Sequence, residues 1–117
     1  MARHVFVIVN DPPDADQAEA FDHWYVDRHM PDVLDVPGFI SAQRFRLAPD
    51  PANPDALPRH LAIYEIETED RAAVMAELRR RAGTDQMPLF PGPHRTAAAV
   101  FIGEAVTPRL AANDPAE

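Results

Sequence analysis

The chain has 117 residues, no cysteine and a formal net charge of −8. This length fits one domain, and the lack of cysteine excludes disulfides, thiolate metal sites and a cysteine nucleophile. An acidic surface repels phosphates and anionic headgroups, so we expect neither nucleic acid nor a membrane as a partner. No apolar run approaches the roughly 18 residues of a membrane span. With no recognisable signal peptide either, we expect a cytoplasmic protein.

The first predicted element is a β-strand from Arg3 to Val9, which is rich in β-branched residues and apolar on both faces. The two-residue period of a strand predicts two sets of side chains, His4, Phe6, Ile8 and Asn10 on one face and Val5, Val7 and Val9 on the other. Helices can cover only one of these faces. We therefore expect a second apolar surface that something else must bury.

A helix is predicted next, from about Ala15 to His29. Two capping-box spacings fit its start, Asp14 with Gln17 and Asp16 with Glu19. Pro31 disfavours helical backbone at the residue before it and lacks an N–H, so it should end the helix beside His29. Pro31 can then open a second short turn that runs to Asp35. At the end of its helix, His29 would be favoured as a cation by the helix dipole.

One face of this helix combines apolar surface with proton-transfer chemistry. Residues at the helical spacing i, i+3, i+4, i+7 and i+8 form a single stripe, made of Phe21, Trp24, Tyr25, Arg28 and His29. Two potential metal ligands, His23 and Asp27, lie off this stripe and toward solvent. Two ligands on an exposed face do not make a competent metal site, so none is predicted.

A hairpin of two strands follows the helix. The first runs from Phe39 to Leu47 and the second from His60 to Glu67, and a proline-rich surface loop, Ala48 to Pro58, joins them. Alternation in the first strand predicts Ile40, Ala42, Arg44 and Arg46 on one face and Phe39, Ser41, Gln43 and Phe45 on the other. In the second strand His60, Ala62, Tyr64 and Ile66 share a face, although parity alone does not say which face of the sheet this is.

The last third of the chain predicts a helix and a strand. Thr68 should cap the helix and Gly83 should end it. The irregular but apolar segment from Thr84 to Pro93 should lie across a cavity mouth or a partner subunit. A final strand is predicted from Arg95 to Glu104.

The resulting order, β-α-β-β-α-β, predicts a ferredoxin-like α+β fold, a four-stranded antiparallel sheet with two helices on one face. We expect the domain to span residues 1–107 and residues 108–117 to form a flexible C-terminal tail.

The motif Trp24-Tyr25-x3-His29-x-Pro31, followed by Leu34 and Pro37-Gly38-Phe39, resembles the signature of the EthD-like branch of the dimeric α+β barrel superfamily. The match is densest over Ala20 to Arg46. The resemblance implies a homodimer in which two sheets pair face to face, with functional polar residues between the helices and the sheet. The superfamily includes polyketide cyclases, cofactor-free oxygenases, lactone isomerases and haem-handling proteins.

His29 is the predicted catalytic residue, acting as a general acid or base while Tyr25 orients or protonates an oxygen. The alternative is that His29 only satisfies the end of its helix and packs against the following loop. The predicted substrate-binding residues are Trp24, His4, Tyr64, Arg44 and Phe90. The alternative for Trp24 is that it packs in the hydrophobic core and does not contact a ligand. Arg44 could bind a carboxylate or enolate, but we favour its pairing with an acidic side chain.

Together with the resemblance, these residues predict a cyclase, isomerase or lyase acting on a small hydrophobic or aromatic substrate. The resemblance implies that the enzyme is cofactor-free and that its substrate is polyketide-like or lactone-like. The alternatives are a cofactor-independent monooxygenase and a non-catalytic small-molecule-binding accessory protein. With four glycines the chain has no phosphate-cradling loop and no dinucleotide fingerprint. Haem would need His29 or His94 as its axial ligand, and we expect no cofactor.

Overall fold

The computed structural model describes residues 2–10, 16–48, 51–52, 59–91 and 99–113. Its elements are β1 (Ala2–Asn10), α1 (Ala18–Trp24), a π-helical turn (Tyr25–His29), α2 (Met30–Leu34), β2 (Phe39–Leu47), β3 (Arg59–Thr68), α3 (Arg71–Arg81) and β4 (Ala99–Glu104). The four strands form one sheet in the order β2-β3-β1-β4, with every neighbouring pair antiparallel. The predicted ferredoxin-like α+β fold is confirmed.

The helices cover one face of this sheet, and β1 divides its side chains between the two faces as predicted. His4 and Phe6 are buried under the helical layer, whereas Val5 is 36% exposed on the outer face. On β3, Tyr64 is fully buried on the helix side, directly opposite Phe6. Strand alternation alone did not predict on which face of the sheet Tyr64 lies, and the structure places it on the helix-covered face.

A β-bulge near the start of β2 corrects the faces predicted for that strand. Phe39 pairs with Ile66 while Ser41 pairs with Glu65, so one extra residue lies between them. Phe39 therefore shares the buried face with Ala42 and Arg44 instead of opposing them. Simple alternation fails here because it assumes that no residue is inserted into the ladder.

The backbone remains helical from α1 through α2, so the prediction that Pro31 ends the helix was wrong. The Met30 N–H donates to the carbonyl of Tyr25, five residues back, which widens the turn before the proline. A proline ring inside a regular α-helix would clash with the carbonyl four residues earlier. Here Pro31 follows the widened turn directly and lies in the first turn of α2.

The helix starts also differ from the predicted caps. α1 begins after Gln17, which makes no side-chain cap hydrogen bond, and Asp14 lies outside the described residues. The Asp16–Glu19 box is therefore not the cap that forms. In α3 the cap is Asp70, whose side chain accepts from the Ala73 N–H at 3.0 Å.

Thr68 instead accepts from the N–H of Asp70 at 2.9 Å and fixes the turn that leads into α3. After α3, Gly83 adopts a positive φ of 81° and its N–H donates to the carbonyl of Met87. Gly83 thus follows the end of the helix as predicted.

The segment after α3 packs into the core of its own chain. Met87 and Phe90 are 3% and 7% exposed, and the Phe90 ring lies edge-on to Phe21 with centroids 5.3 Å apart. Leu89, by contrast, is 57% exposed. The expectation that this segment crosses a cavity mouth or a partner is replaced, for Met87 and Phe90, by burial within the monomer.

The outer face of the sheet is apolar and open in the monomer. Phe101 on β4 is 62% exposed, Phe45 on β2 is 37% exposed, and Val5 on β1 lies on the same face. Beyond β4, residues 105–113 form no helix or strand, and Val106 and Leu110 are 92% and 82% exposed. One side of the sheet is therefore a covered core and the other an uncovered apolar surface.

Candidate functional site

The π-helical turn Tyr25–His29 carries both predicted catalytic residues, Tyr25 and His29. Tyr25 is 2% exposed and faces the sheet, and His29 at the end of the turn is partly buried. Single π turns inserted in α-helices occur often at functional sites, because the extra residue per turn re-aims side chains. The same change turns Arg28 away from the predicted stripe. Arg28 is exposed and pairs with Asp32 at 2.7 Å.

His29 stacks on Trp24, with ring centroids 5.0 Å apart and 23° between the planes. Its other ring neighbour is Tyr25, at 4.9 Å. Burial lowers the pKa of His29 from 6.5 to about 4, and the nearby Asp32 carboxylate offsets only part of this effect. His29 is thus a neutral imidazole at pH 7, and the prediction of a dipole-stabilised cation was wrong. Desolvation outweighs the dipole because the helix does not end at His29.

Two buried phenols meet between the helical turn and the sheet. The hydroxyl oxygens of Tyr25 and Tyr64 are 3.1 Å apart, and the side chain of Asn10 also hydrogen-bonds the Tyr25 hydroxyl. Burial raises the pKa of both phenols, and the hydrogen bonds from Tyr64 and Asn10 oppose that rise at Tyr25. Tyr25 is therefore the better stabilised of the two as an anion.

Arg44 reaches under the helix from β2 and lies against the face of Tyr25. Its guanidinium carbon is 4.4 Å from the centroid of the Tyr25 ring, a cation–π arrangement. Arg44 Nη2 lies 2.8 Å from Asp22 Oδ1, so the pairing with an acidic side chain that we favoured is present. His60 Nε2 approaches the same Asp22 oxygen at 3.8 Å.

Several buried polar atoms around this cluster have no hydrogen-bond partner among the described residues. They include His29 Nδ1, Asn10 Oδ1, Asp22 Oδ1, and Nε and Nη2 of Arg44. The Arg44–Asp22 pair is close in distance, yet its atoms do not meet hydrogen-bond geometry. Buried polar groups are ordinarily satisfied. A cluster of unsatisfied donors and acceptors in one place is what a polar ligand or ordered water would complete.

The other predicted binding residues fall outside this polar cluster. Phe90 packs on Trp24, with centroids 5.5 Å apart, and forms the apolar end of the same helix–sheet layer. His4 is 6% exposed, and its Nδ1 has no hydrogen-bond partner among the described residues. It lies opposite Ile66, one inward-facing position along β1 from Phe6 and three from Asn10.

Sequence reasoning did not select Asp22, His60 or Asn10 as site residues. Strand parity carries a signal for two of them, because His60 shares a face with Tyr64, and Asn10 shares one with Phe6. No sequence signal marks Asp22, since it lies off the aromatic stripe and only the approach of Arg44 gives it a role. His94, the second candidate axial ligand, lies outside the described residues.

Two concavities lined by described residues lie away from His29. One, of about 680 Å³, is bounded by Arg3, Glu67 and the segment from Ala105 to Leu110, and the other, of about 180 Å³, by outer-face residues near Phe45. Over the described ranges, no three potential metal ligands come together. None of the helices in those ranges is long and apolar enough to cross a membrane.

The ferredoxin-like α+β fold is shared with solved structures that have little sequence identity to this chain. Among solved structures, HapK from Hahella chejuensis has a TM-score of 0.55 and 17% sequence identity, and the match covers 95% of this chain and 99% of HapK. An EthD family protein from Bacillus halodurans C-125 has a TM-score of 0.47 and 18% identity, covering 91% and 100%. No family model and no curated protein matches the sequence.

Proposed function

We propose that this protein is a cofactor-free enzyme in which His29 transfers a proton on a small hydrophobic or aromatic substrate. The reaction type is that of a cyclase, an isomerase or a lyase, in which a proton leaves a carbon next to a carbonyl and returns elsewhere. The observation that carries this proposal is the pairing of a neutral, partly buried imidazole with a phenol. His29 lies 4.9 Å from Tyr25 ring to ring, and its Nδ1 is unoccupied by any described residue.

The protonation state of His29 suits the role of a base. A group with a pKa of about 4 is unprotonated at neutral pH, so its lone pair is available without a prior proton loss. A base this weak needs a carbon acid whose anion is itself stabilised. The Tyr25 hydroxyl and the Arg44 guanidinium, whose central carbon lies 4.4 Å from the centroid of the Tyr25 ring, supply that stabilisation for a developing enolate oxygen.

The proposed steps move one proton. His29 takes it from the carbon, the electron pair of the C–H bond becomes the enolate π-bond, and Tyr25 donates a hydrogen bond to the enolate oxygen. His29-H⁺ then returns the proton to a different carbon or to a leaving oxygen. Trp24, stacked on the imidazole, orients the ring and offers an apolar surface to the substrate.

The decisive experiment is His29→Gln, measured for both turnover and ligand binding. We expect turnover to fall about 10²–10⁴-fold, since general acid–base catalysis contributes that much, while ligand affinity changes little. Trp24→Ala should do the reverse, with weaker affinity as its main effect. Unchanged turnover in His29→Gln would remove His29 from the mechanism. If no turnover of any candidate substrate is found and only Trp24→Ala matters, the protein is a binding accessory protein instead.

We propose further that the protein works as a cytoplasmic homodimer that pairs the outer faces of two sheets. Support comes from the apolar outer face, on which Phe101 and Phe45 are 62% and 37% exposed. A contiguous apolar face of this kind is uncommon on a monomer. Pairing with a second copy buries the same residues on both sides, as a two-fold interface requires.

A further inference from the structure

We infer that Arg44 is a docking point for a planar acidic group of the substrate with two oxygens, a carboxylate or the enolate of a 1,3-dicarbonyl. This inference rests on the proposed function, because it names the substrate class of the same site. Its first support is burial, since the Arg44 side chain is only 9% exposed. A guanidinium is ordinarily buried only when its donors are used.

The two unused donors lie on one edge of the guanidinium. Nε and Nη2 of Arg44 are both buried and without a hydrogen-bond partner among the described residues. In the planar guanidinium these two N–H groups point the same way and form the fork that accepts two oxygens at once. A single-oxygen ligand would leave one of them unsatisfied, so the fork fits a group with two coplanar oxygens.

Asp22 partly occupies this edge without satisfying it. Its Oδ1 is 2.8 Å from Arg44 Nη2, but neither atom reaches hydrogen-bond geometry. The Asp22 side chain is 37% exposed, so it can turn out to solvent at little cost. An acidic ligand would therefore displace Asp22 from Arg44. In the free protein the carboxylate of Asp22 thus lies beside Arg44 and competes with an acidic ligand for it.

The surroundings of the fork favour an aromatic or otherwise flat acid. The guanidinium lies 4.4 Å from the ring centroid of Tyr25 and 5.8 Å from that of Phe21. Rings this close to the guanidinium lower the local dielectric, which strengthens charge-assisted hydrogen bonds made by the fork. The acid would also neutralise a guanidinium that is otherwise poorly paired.

The test is a titration of the full-length protein with benzoate, acetylacetone and the neutral isostere benzamide. Binding is followed by calorimetry and by the fluorescence of Trp24, the single tryptophan. The variants are Arg44→Gln, Arg44→Lys and Asp22→Asn. Arg46→Gln serves as the matched control, because it removes the same charge from an exposed position two residues further along β2.

We expect benzoate, acetylacetone or both to bind, and benzamide to bind at least tenfold more weakly. Arg44→Gln should weaken acid binding about 10–100-fold, and Arg44→Lys nearly as much because it keeps the charge but lacks the fork. Asp22→Asn should tighten binding several-fold by removing the competitor. Which of the two acids binds identifies the source of the oxygen pair.

Three results would overturn the inference. Benzamide binding as tightly as the acids would show that the site does not select for the negative charge of the ligand. Equal effects of Arg44→Gln and Arg46→Gln would show that binding does not depend on Arg44 in particular. Weaker binding in Asp22→Asn would make Asp22 a supporting group instead of a competitor. If Arg44→Gln fails to fold, Arg44→Lys and Asp22→Asn still decide. Acid binding that persists in His29→Gln with unchanged turnover would reject the proposed function while leaving this site intact.

Discussion

The hydroxyl oxygens of Tyr25 and Tyr64 lie 3.1 Å apart in the buried layer between the helical turn and the sheet. The two residues are 39 positions apart in the chain and are 2% and 0% exposed. Each hydroxyl group loses its hydrogen bonds to water on burial, and the hydrogen bond to the other phenol replaces part of that loss. This hydrogen bond links the π-helical turn, which carries His29, to strand β3.

The first prediction concerns the coupling of these two phenols. Tyr25→Phe and Tyr64→Phe should each lower the free energy of unfolding by about 1–2 kcal/mol, because each leaves one buried hydroxyl without its partner. The double variant should cost less than the sum, since it removes both hydroxyls together. Urea denaturation of the four proteins measures the coupling. Strict additivity would show that the hydrogen bond contributes nothing to stability.

The second prediction is a pH dependence of stability caused by His29. Its pKa is about 4 in the folded chain and 6.5 ordinarily, so the unfolded chain binds the proton more readily between these values. The free energy of unfolding should therefore fall as pH falls from about 6.5 to about 4, by on the order of 3 kcal/mol. His29→Gln should lack this part of the profile. An identical profile in both proteins would assign the dependence to other groups.

The same pKa predicts the pH profile of turnover. If His29 is the base, kcat/KM should stay constant from pH 8 down to about 5 and decline below, as the imidazole of the free enzyme becomes protonated. A decline centred near the ordinary histidine value of 6.5 would indicate that His29 is solvated in the free enzyme. The measurement is a kcat/KM series with the first substrate found.

The fourth prediction compares two glycines with positive φ. Gly38 has φ of 106°, and a Cβ there would lie 2.7 Å from Val74 Cγ2, whereas Gly83 has φ of 81° and no atom within 4 Å. Gly38→Ala should cost about 2–4 kcal/mol from backbone strain and overpacking together. Gly83→Ala should cost only about 1 kcal/mol from strain. Thermal or urea unfolding tests the difference, and equal losses would contradict the close contact with Val74.

The fifth prediction tests the proposed homodimer. Phe101→Asp places a charge on the outer face, so we expect it to convert a dimer to a monomer in light scattering. Val26→Asp is the matched control, because Val26 is 51% exposed on the helical side of the sheet. That variant should remain dimeric. A monomeric wild-type protein, or dissociation by both variants alike, would count against pairing through this face.

The order of elements and the faces of β1 followed from local patterns. A strand is predicted from its two-residue period and a loop from its prolines and polar residues. Both patterns involve only residues that are neighbours in the sequence. The motif from Trp24 to Phe39 resembles the EthD-like signature, and the fold that this resemblance implies is the fold observed. The bulge after Phe39 did not follow, because an inserted residue shows itself only against the partner strand.

The sequence by itself determined that Phe21, Trp24, Tyr25 and His29 lie together on one helix face and that the sheet would be apolar on both sides. Only the tertiary structure decided that the helix continues past Pro31 through a π turn, that His29 is neutral, and that Arg44 meets Asp22 beneath Tyr25. The reason is physical. Periodicity is a property of neighbours along the chain, whereas desolvation and ion pairing depend on groups that folding brings together from distant positions.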